Sequence, residues 1–452
     1  MRLSPTDLKK RIEKLEVVRR IRAHAWVGRL FLVGGALREL ALGQTPNDYD
    51  LVLERPEDLT ALEEIFGAES FLLGKKPTQT HRVVAEHSAL DVTILEGDIE
   101  GDLYRRDFTI NAMAYDLGRS VLVDPLGGFG DLERKRLCYP RKETLKEDPL
   151  RMVKALRHLS ALRGFTLDPR LKAAIGANRG MIRHTAVERI KYELDLILVS
   201  PNTYKGIKVM EETGLLFEIF PELLTLREMD REKDFRIEAF GHTLGGFKYV
   251  NRIRRWSIFT DGETRQAGYG LLFHDLGKPA TFSYDEEKGR VHFFHHERHS
   301  RDIAARIMER LRFGTGEMKA ILSLIENHMR LFLISGTEAT EKATRRLVYK
   351  MEGLTPPLVF LTLLDLYGNS KGRESPSTRQ VKSRCREALD GYDEWKRQPL
   401  PRIVTGRDLL ALGFTEGPAL GRVLREIREK QIAGEITERR EALRFAASRR
   451  VD

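Results

Sequence analysis

Over the first 28 residues, apolar side chains fall at helical spacing among charges (Leu8, Ile12, Leu15, Val18, Ile21), which predicts one amphipathic lead helix over 1–28. A short apolar run, LFLV, then ends in Gly34-Gly35 and gives way to a second helical pattern, ALRELAL. NDYDLVLE, LDVTIL and VLVDP read as further strands, rich in β-branched and apolar residues and bounded by turn residues. From about Pro149 the period is helical almost throughout. It is interrupted by loop signals near PNTYKG, DGETRQ and YDEEKGR and by the Ser/Lys/Arg-rich run NSKGRESPSTRQVKSR, the strongest linker signal. The expected fold class is α+β: an N-terminal α/β head with a mixed sheet and helices, then a mostly helical remainder.

A chain of 452 residues exceeds what one hydrophobic core serves, so several domains are expected. With 41% hydrophobic and 32% charged residues it has material for cores and excludes a mostly disordered chain or a membrane protein. The start, MRLSPTDLKKRIEKL, has no apolar signal core, and a cytoplasmic location is expected. Only Cys138 and Cys385 occur, which rules out a disulfide framework or a Cys-rich zinc site and leaves His, Asp and Glu to hold any metal. The net charge of +10 suits a polyanionic partner, as it suits many basic proteins that have none.

Several polar residues sit where chemistry needs them. Gly34 and Gly35 follow a strand and open a helix, so their N–H groups can approach phosphate oxygens; a plain tight turn is the simpler reading of the pair alone. Asp48 and Asp50 are two apart in a strand and share a face, where two carboxylates repel unless a cation such as Mg²⁺ lies between them; a solvated strand end is the alternative. Asp91, in LDVTIL, could add a third carboxylate. In EDPLRMVKALRHLSALRG, Asp148 is an N-cap, Pro149 opens the helix and Gly164 stops it. Leu150, Val153, Leu156 and Leu159 form its apolar side, with Arg151, Lys154, Arg157 and His158 elsewhere. Between residues 136 and 163, eight Lys or Arg stand against three acids, either a solvated basic face or a site for a polyanion.

Taken in order, GGALR, NDYD, RRDFTINAMA, DPLGGFGDL and EDPLRMVKALR resemble the motifs of class II tRNA nucleotidyltransferases and bacterial poly(A) polymerases. The resemblance is close over about residues 25–225, ERIKYEL and MEETGLLFEIFPEL included. It implies a nucleotidyltransferase head at 1–140, a helical neck recognising the nucleotide base at 141–225, and a helical RNA-binding tail at 376–452. It further implies that Asp48 and Asp50, with Asp91 as a third catalytic carboxylate, serve Mg²⁺-dependent transfer from CTP or ATP to a tRNA 3′ end. By the same resemblance Gly34, Gly35 and Arg38 form the triphosphate turn, Arg106 contacts the nucleotide, and Asp107 and Asn111 order the sugar and the local turn. Asp148 and Arg151 pair with the Watson–Crick edge, assisted by Lys154 and Arg157. Lys154 departs from the Arg common in the family, replacing a planar fork by a point charge.

Between LDVTIL and RRDFT lie only the nine residues EGDIEGDLY, where full CCA-adding relatives carry a longer flexible loop. The expected activity is therefore addition of CC, ahead of CCA addition, A addition or poly(A) synthesis, with a separate A-adding enzyme as a candidate partner.

In the helical half, His242, His274-Asp275, His296, His328 and Asp365 are polar residues on otherwise apolar helices. Their order, with GKP after the HD pair, resembles the HD phosphohydrolase superfamily, at about 226–375. The resemblance implies that His242, His274, Asp275 and Asp365 bind Ni, Mn, Fe or Zn, with His296 and His328 available for a second metal or for phosphate. His292, His295 and His299 read as loop or solvent residues. Toward the end, Gly417-Pro418 before a helix and the KSRCR run are candidates for holding RNA phosphates.

Overall fold

The computed structural model describes residues 4–24, 29–73, 79–85, 88–231, 237–257, 259–336 and 341–449. The chain forms two compact units, Met1–Ile197 with Lys205–Ile219, and Leu198–Tyr204 with Phe220–Asp452.

In the first unit the expected lead helix over 1–28 is two helices, Pro5–Glu13 and Glu16–Ala23, and 25–28 lie outside the described residues. Leu15 breaks the run with an extended ψ of 135°. The break lets one helix pack on Gly35–Ala41 and the other on Asp58–Phe66, which a straight helix could not do, and Leu8, Ile12, Val18 and Ile21 are all buried.

The head is a seven-stranded mixed sheet. Its strands are β1 (Leu30–Val33), β2 (Asp48–Leu53), β3 (Ser70–Leu73), β4 (Thr80–Ala85), β5 (Ser88–Ile94), β6 (Ala114–Asp116) and β7 (Val121–Val123). They lie in the order β3-β4-β5-β2-β1-β6-β7, with β2 and β5 parallel and the other neighbours antiparallel. LFLV, NDYDLVLE, LDVTIL and VLVDP are strands as the pattern predicts. The helix expected at EDPLR spans Leu150–Ala161, and its N-cap chemistry comes from Asp148, whose Oδ1 accepts the Leu150 N–H at 3.2 Å. His158, expected on the outer face, is instead buried, its ring edge-on to Phe108 at 5.5 Å.

The remainder is helical except for two small sheets. One joins β8 (Arg136–Leu137) to β9 (Thr166–Leu167), and the other is a hairpin, β10 (Phe282–Asp285) and β11 (Arg290–Phe293), around the expected YDEEKGR turn. Two loop expectations are overturned. DGETRQ opens the helix Asp261–Phe273, because Thr260 and Glu263 form a reciprocal capping box. The supposed linker is mostly the helix Pro376–Arg397: Ser375 caps it, Pro376 opens it, and Val381, Cys385 and Ala388 give it a buried face. Within KSRCR, Lys382 is paired with Glu374, Arg384 donates to Thr344 and Glu387, and Arg386 lies over Trp256, so the run also seats the helix against its neighbours. The stretch Glu341–Ser370 has the length and apolarity of a membrane span, yet 72% of its most apolar window is buried inside the protein, as in a core helix.

Candidate active site and candidate metal centre

In the first unit the parallel pairing of β2 and β5 sets Asp50 directly beside Asp91, with Asp48 two residues earlier on the same face. The sheet thus gathers the three carboxylates predicted to act together. Burial pushes the Asp50 carboxyl above its ordinary value; Arg106 opposes the rise, while Asp91 and Asp48 add to it and the Gly35 N–H works against it. Crowded, partly desolvated carboxylates of this kind suit a divalent cation. Asp91 is already engaged, gripped by Arg82 of β4 through two bonds of 2.7 Å. Sequence reasoning passed over Arg82, whose partner is visible only once β4 is paired with β5.

Gly34 has φ +71°, and a Cβ there would stand 2.7 Å from Asp50 Oδ2 and 3.1 Å from Arg106 Nη1, so only glycine fits between the turn and the acids. Arg38, one turn into the helix, donates to Asn111 Oδ1 and Glu39. Its Nε is buried with no partner among the described residues, and burial lowers its pKa: an unspent donor beside the Gly34-Gly35 turn. Asn111 in turn donates to Asp107 Oδ1 at 2.9 Å, and the same oxygen accepts the Phe108 N–H, so Asp107 and Asn111 lock the RRDFT turn. Arg106 is steered by Asp102 at 2.9 Å.

The base-reading candidates are held in unexpected ways. Asp148 Oδ2 accepts from Arg189 at 2.9 Å, while Arg151 donates to the carbonyls of Arg105 and Thr144 at 2.8 and 3.2 Å. Arg157 is tied at 2.7 Å to Glu193, which is only 4% exposed and whose pKa burial raises. Lys154 has no hydrogen bond or ion pair among the described residues. Arg189 and Glu193 both belong to ERIKYEL; their four-residue spacing puts them on one helix face, a signal present in the sequence.

The second unit holds a cluster on five helices or their ends: Ala239–Gly246, Asp261–Phe273, His296–Arg310, Thr315–Asn327 and Thr355–Ser370. His242 Nε2 lies 3.2 Å from His274 Nε2, 3.1 Å from Asp275 and 3.4 Å from Asp365. His296 Nε2 lies 3.2 Å from His328 Nε2 and 3.4 Å from Asp275 Oδ1. Each of the four rings donates its Nδ1–H to a backbone carbonyl, that of Glu238, Leu271, Phe293 or Ile325 respectively, at 2.6 to 2.9 Å. A carbonyl only accepts, so each Nε2 must turn a lone pair inward unless it too is protonated. Two facing lone pairs at 3.2 Å require a proton or a metal between them. Burial works against charge on His274, yet Asp275 and Asp365 raise it to about 10, while burial and the neighbouring His274 lower His328 to about 4. The residues fit divalent metal: His242, His274 and Asp365 form one compact donor set and His274, Asp275 and His328 another. Lys278 Nζ, 2.6 Å from Asp275, and Asn369, 2.6 Å from Asp365, complete the surroundings. His295 and His299 are exposed and His292 is half-buried in the hairpin. Farther on, Gly417 precedes the helix Pro418–Ile432 and lines a cleft with Arg407 and Glu416.

The chain matches family models for the poly A polymerase head domain at residues 74–138, for a probable RNA and SrmB-binding site of polymerase A at 164–226, and for the HD domain at 240–369. It is 34% identical to a CC-adding tRNA nucleotidyltransferase of Thermus thermophilus, with 92% of each chain covered. The chain belongs to the tRNA nucleotidyltransferase family. An A-adding member from Deinococcus radiodurans is 32% identical over 92% of this chain and 94% of its own. The fold is that of the Bacillus stearothermophilus CCA-adding enzyme solved in complex with CTP, with TM-score 0.65, 22% identity and 99% and 98% of the two chains covered. Members of this family and HD domains generally use divalent metals.

Proposed function

We propose that this tRNA nucleotidyltransferase adds two CMP residues from CTP to tRNA 3′ ends and stops there. The observation carrying the reading is the connection from β5 to the helix Ile99–Tyr104, only Leu95–Asp98. Leu95 N–H is bound to Leu53 O at 2.7 Å and Asp98 accepts from Gly101 N–H at 2.7 Å, so this segment is spent on closing the fold. No length remains there for the loop that the family resemblance associates with the switch to A. The similarity to a CC-adding relative supports the same choice.

Asp48 and Asp50 would hold Mg²⁺, which when bound activates the RNA 3′-hydroxyl and neutralises charge developing at the α-phosphate. The turn at Gly34 and Gly35 admits the triphosphate closely, and Arg38 and Arg106 supply guanidinium charge as pyrophosphate departs. Asp148 accepts from the exocyclic amino group of the base and Arg151 donates to the ring nitrogen, a pattern cytosine and adenine share. Lys154 adds charge, and Arg157, committed to Glu193, supports the helix. In this division of labour residues 1–140 carry transfer, 141–225 read the base, 226–375 hold metal and 376–452 grip RNA.

Single-nucleotide incorporation tests the reading. With tRNA ending at the discriminator base, CTP and ATP together should give products that stop at CC, and a separate A-adding enzyme would complete them. The A-adding relative, almost equally similar, favours a second reading, in which ATP adds one A to CC-ended tRNA and CTP adds nothing.

For the second unit we infer that His242, His274, Asp275 and Asp365 bind a transition metal (Ni, Mn, Fe or Zn), with His296 and His328 placed for a second ion or a phosphate. The inward lone pairs support the reading, and phosphoester hydrolysis is the chemistry it offers. Loss of metal-dependent phosphatase activity in His274→Ala, with survival in Asp48→Ala, is the result expected.

A further inference from the structure

On one face of the head sheet the register lines up four side chains across four strands. Asp50 of β2 is paired with Asp91 of β5, Asp91 with Arg82 of β4, and Arg82 with Phe71 of β3. Directly paired residues share a face, so Phe71 stands in the row of the candidate catalytic acids. A second row runs beside it: Asp48 is paired with Ala89 and Ala89 with Val84, two residues on from Arg82. The reverse face is core, with Val83, Leu90 and Val92 fully buried. The acid-bearing face is open instead and apolar at its far end: Phe71 is 49% exposed, Val84 55% and Leu73 36%.

These exposed apolar side chains lie on one side of the carboxylates. On the other side of β2 runs β1, which ends in the Gly34-Gly35 turn with Arg106 beside it. Under the transfer reading given above, the triphosphate and the departing pyrophosphate occupy that β1 side. In-line displacement at the α-phosphate brings the attacking oxygen in from opposite the leaving group. The attacking 3′-hydroxyl therefore comes from the β4–β3 side, over Asp91 and Arg82. We propose that Phe71, flanked by Val84, is the platform on which the terminal base of the tRNA stacks while its 3′-hydroxyl is presented to the acids. Phe71 is two strands from Asp91, about 10 Å, so a base lying on its ring leaves the ribose over Arg82 and Asp91. Arg82 stays partly exposed despite its bonds to Asp91 and adds positive charge along that path. A stacking ring accepts any base, which suits an acceptor that ends first in whichever discriminator base the tRNA carries and then in C. The inference rests on the transfer reading of Asp48 and Asp50, not on which nucleotide is added.

The test compares the full-length parent, Phe71→Ala and Phe71→Leu on two acceptors: tRNA ending at the discriminator base, and the same tRNA with an abasic ribose at that end. CTP is the donor; if the parent adds A instead, CC-ended acceptors and ATP replace them. With the normal end, each substitution should lower kcat/KM for tRNA about tenfold and leave the KM for the nucleotide unchanged. With the abasic end the parent should lose the same factor, and the substitutions should cost nothing further. Phe71→Trp should keep full activity, and so should Leu72→Ala, on the reverse face of the same strand. Phe71 is half-exposed and Phe71→Leu keeps its apolar bulk, so the unfolding temperature of that variant should match the parent's. Equal losses on both acceptors, a loss carried by the KM for the nucleotide, or no loss in either variant would overturn the proposal. If the parent transfers nothing to either acceptor, the transfer reading fails, and filter binding of the two tRNAs then decides the platform. Tighter retention of the normal end than of the abasic end, in the parent but not in Phe71→Leu, supports it; equal retention of the two ends by the parent overturns it.

Discussion

Asp148 is held by Arg189, 41 residues further along the chain, at 2.9 Å, and not by Arg151, which turns instead to the backbone carbonyls of Arg105 and Thr144. The carboxylate that would read the base is thus oriented by the helix that carries ERIKYEL. Arg189→Ala should raise the KM for CTP about tenfold, the scale of one lost charge-assisted hydrogen bond. The KM for tRNA should hold, and Arg189→Lys should recover part of the loss. Steady-state CMP incorporation with each substrate varied in turn checks this.

Asp50→Asn should separate activity from stability. Burial already disfavours the Asp50 charge, so removing it should leave the unfolding temperature unchanged or higher. If Asp50 holds the cation as proposed, incorporation should fall at least about a hundredfold. Calorimetry and a gel assay on one preparation give both numbers.

Gly34→Ala should fail for a different reason. At φ +71° and ψ −138°, backbone angles that essentially only glycine adopts, an alanine costs about 1–3 kcal/mol, and its Cβ would press on Asp50 and Arg106. Both the unfolding temperature and incorporation should drop together.

His158 should impose an acid limit on the first unit. It is fully buried, and burial, then the nearby Arg157, Arg38 and Lys154, hold its pKa well below the ordinary value. Below about pH 6.5 the unfolded chain takes up a proton that the folded chain refuses. Stability should therefore fall as pH drops through that value, by up to about 1.4 kcal/mol per pH unit for this one group, and be fully present above it. His158→Gln should flatten that slope below about pH 6.5 in urea titrations.

Metal binding at the HD cluster should raise the unfolding temperature of the full chain. At about one hundred times its dissociation constant, Mn²⁺ or Ni²⁺ should add about 2.7 kcal/mol. The gain should vanish with a chelator and in His274→Ala, as differential scanning fluorimetry would record.

Much of this was legible beforehand because short-range chemistry speaks clearly. The Gly-Gly turn, the alternating acids of β2 and the HD pair stood out as local patterns, and the family resemblance supplied the roles expected of them. What stayed hidden depends on pairing across the chain. β4 shows no clean alternation, so neither its place beside β5 nor the grip of Arg82 on Asp91 could be read. β6, only three residues and wholly buried, offers no period. The run at 369–384 looked like a linker because Ser, Lys and Arg dominate it, yet Val381, Cys385 and Ala388 at helical spacing are enough to seat it against a core. His158 looked like part of a basic face until Phe108, fifty residues earlier, closed over it.

The division of the chain has a consequence for anyone wishing to take the protein apart. It passes from one unit to the other at 197–198, 204–205 and 219–220, so three crossings link two bodies that a single boundary would ordinarily separate. A fragment ending at residue 197 would lack Lys205–Ile219 and expose the seat that segment fills. One beginning at 220 would lack Leu198–Tyr204. Neither half is a self-sufficient piece, and in synthesis the first cannot finish folding until the ribosome has already delivered seven residues belonging to the second.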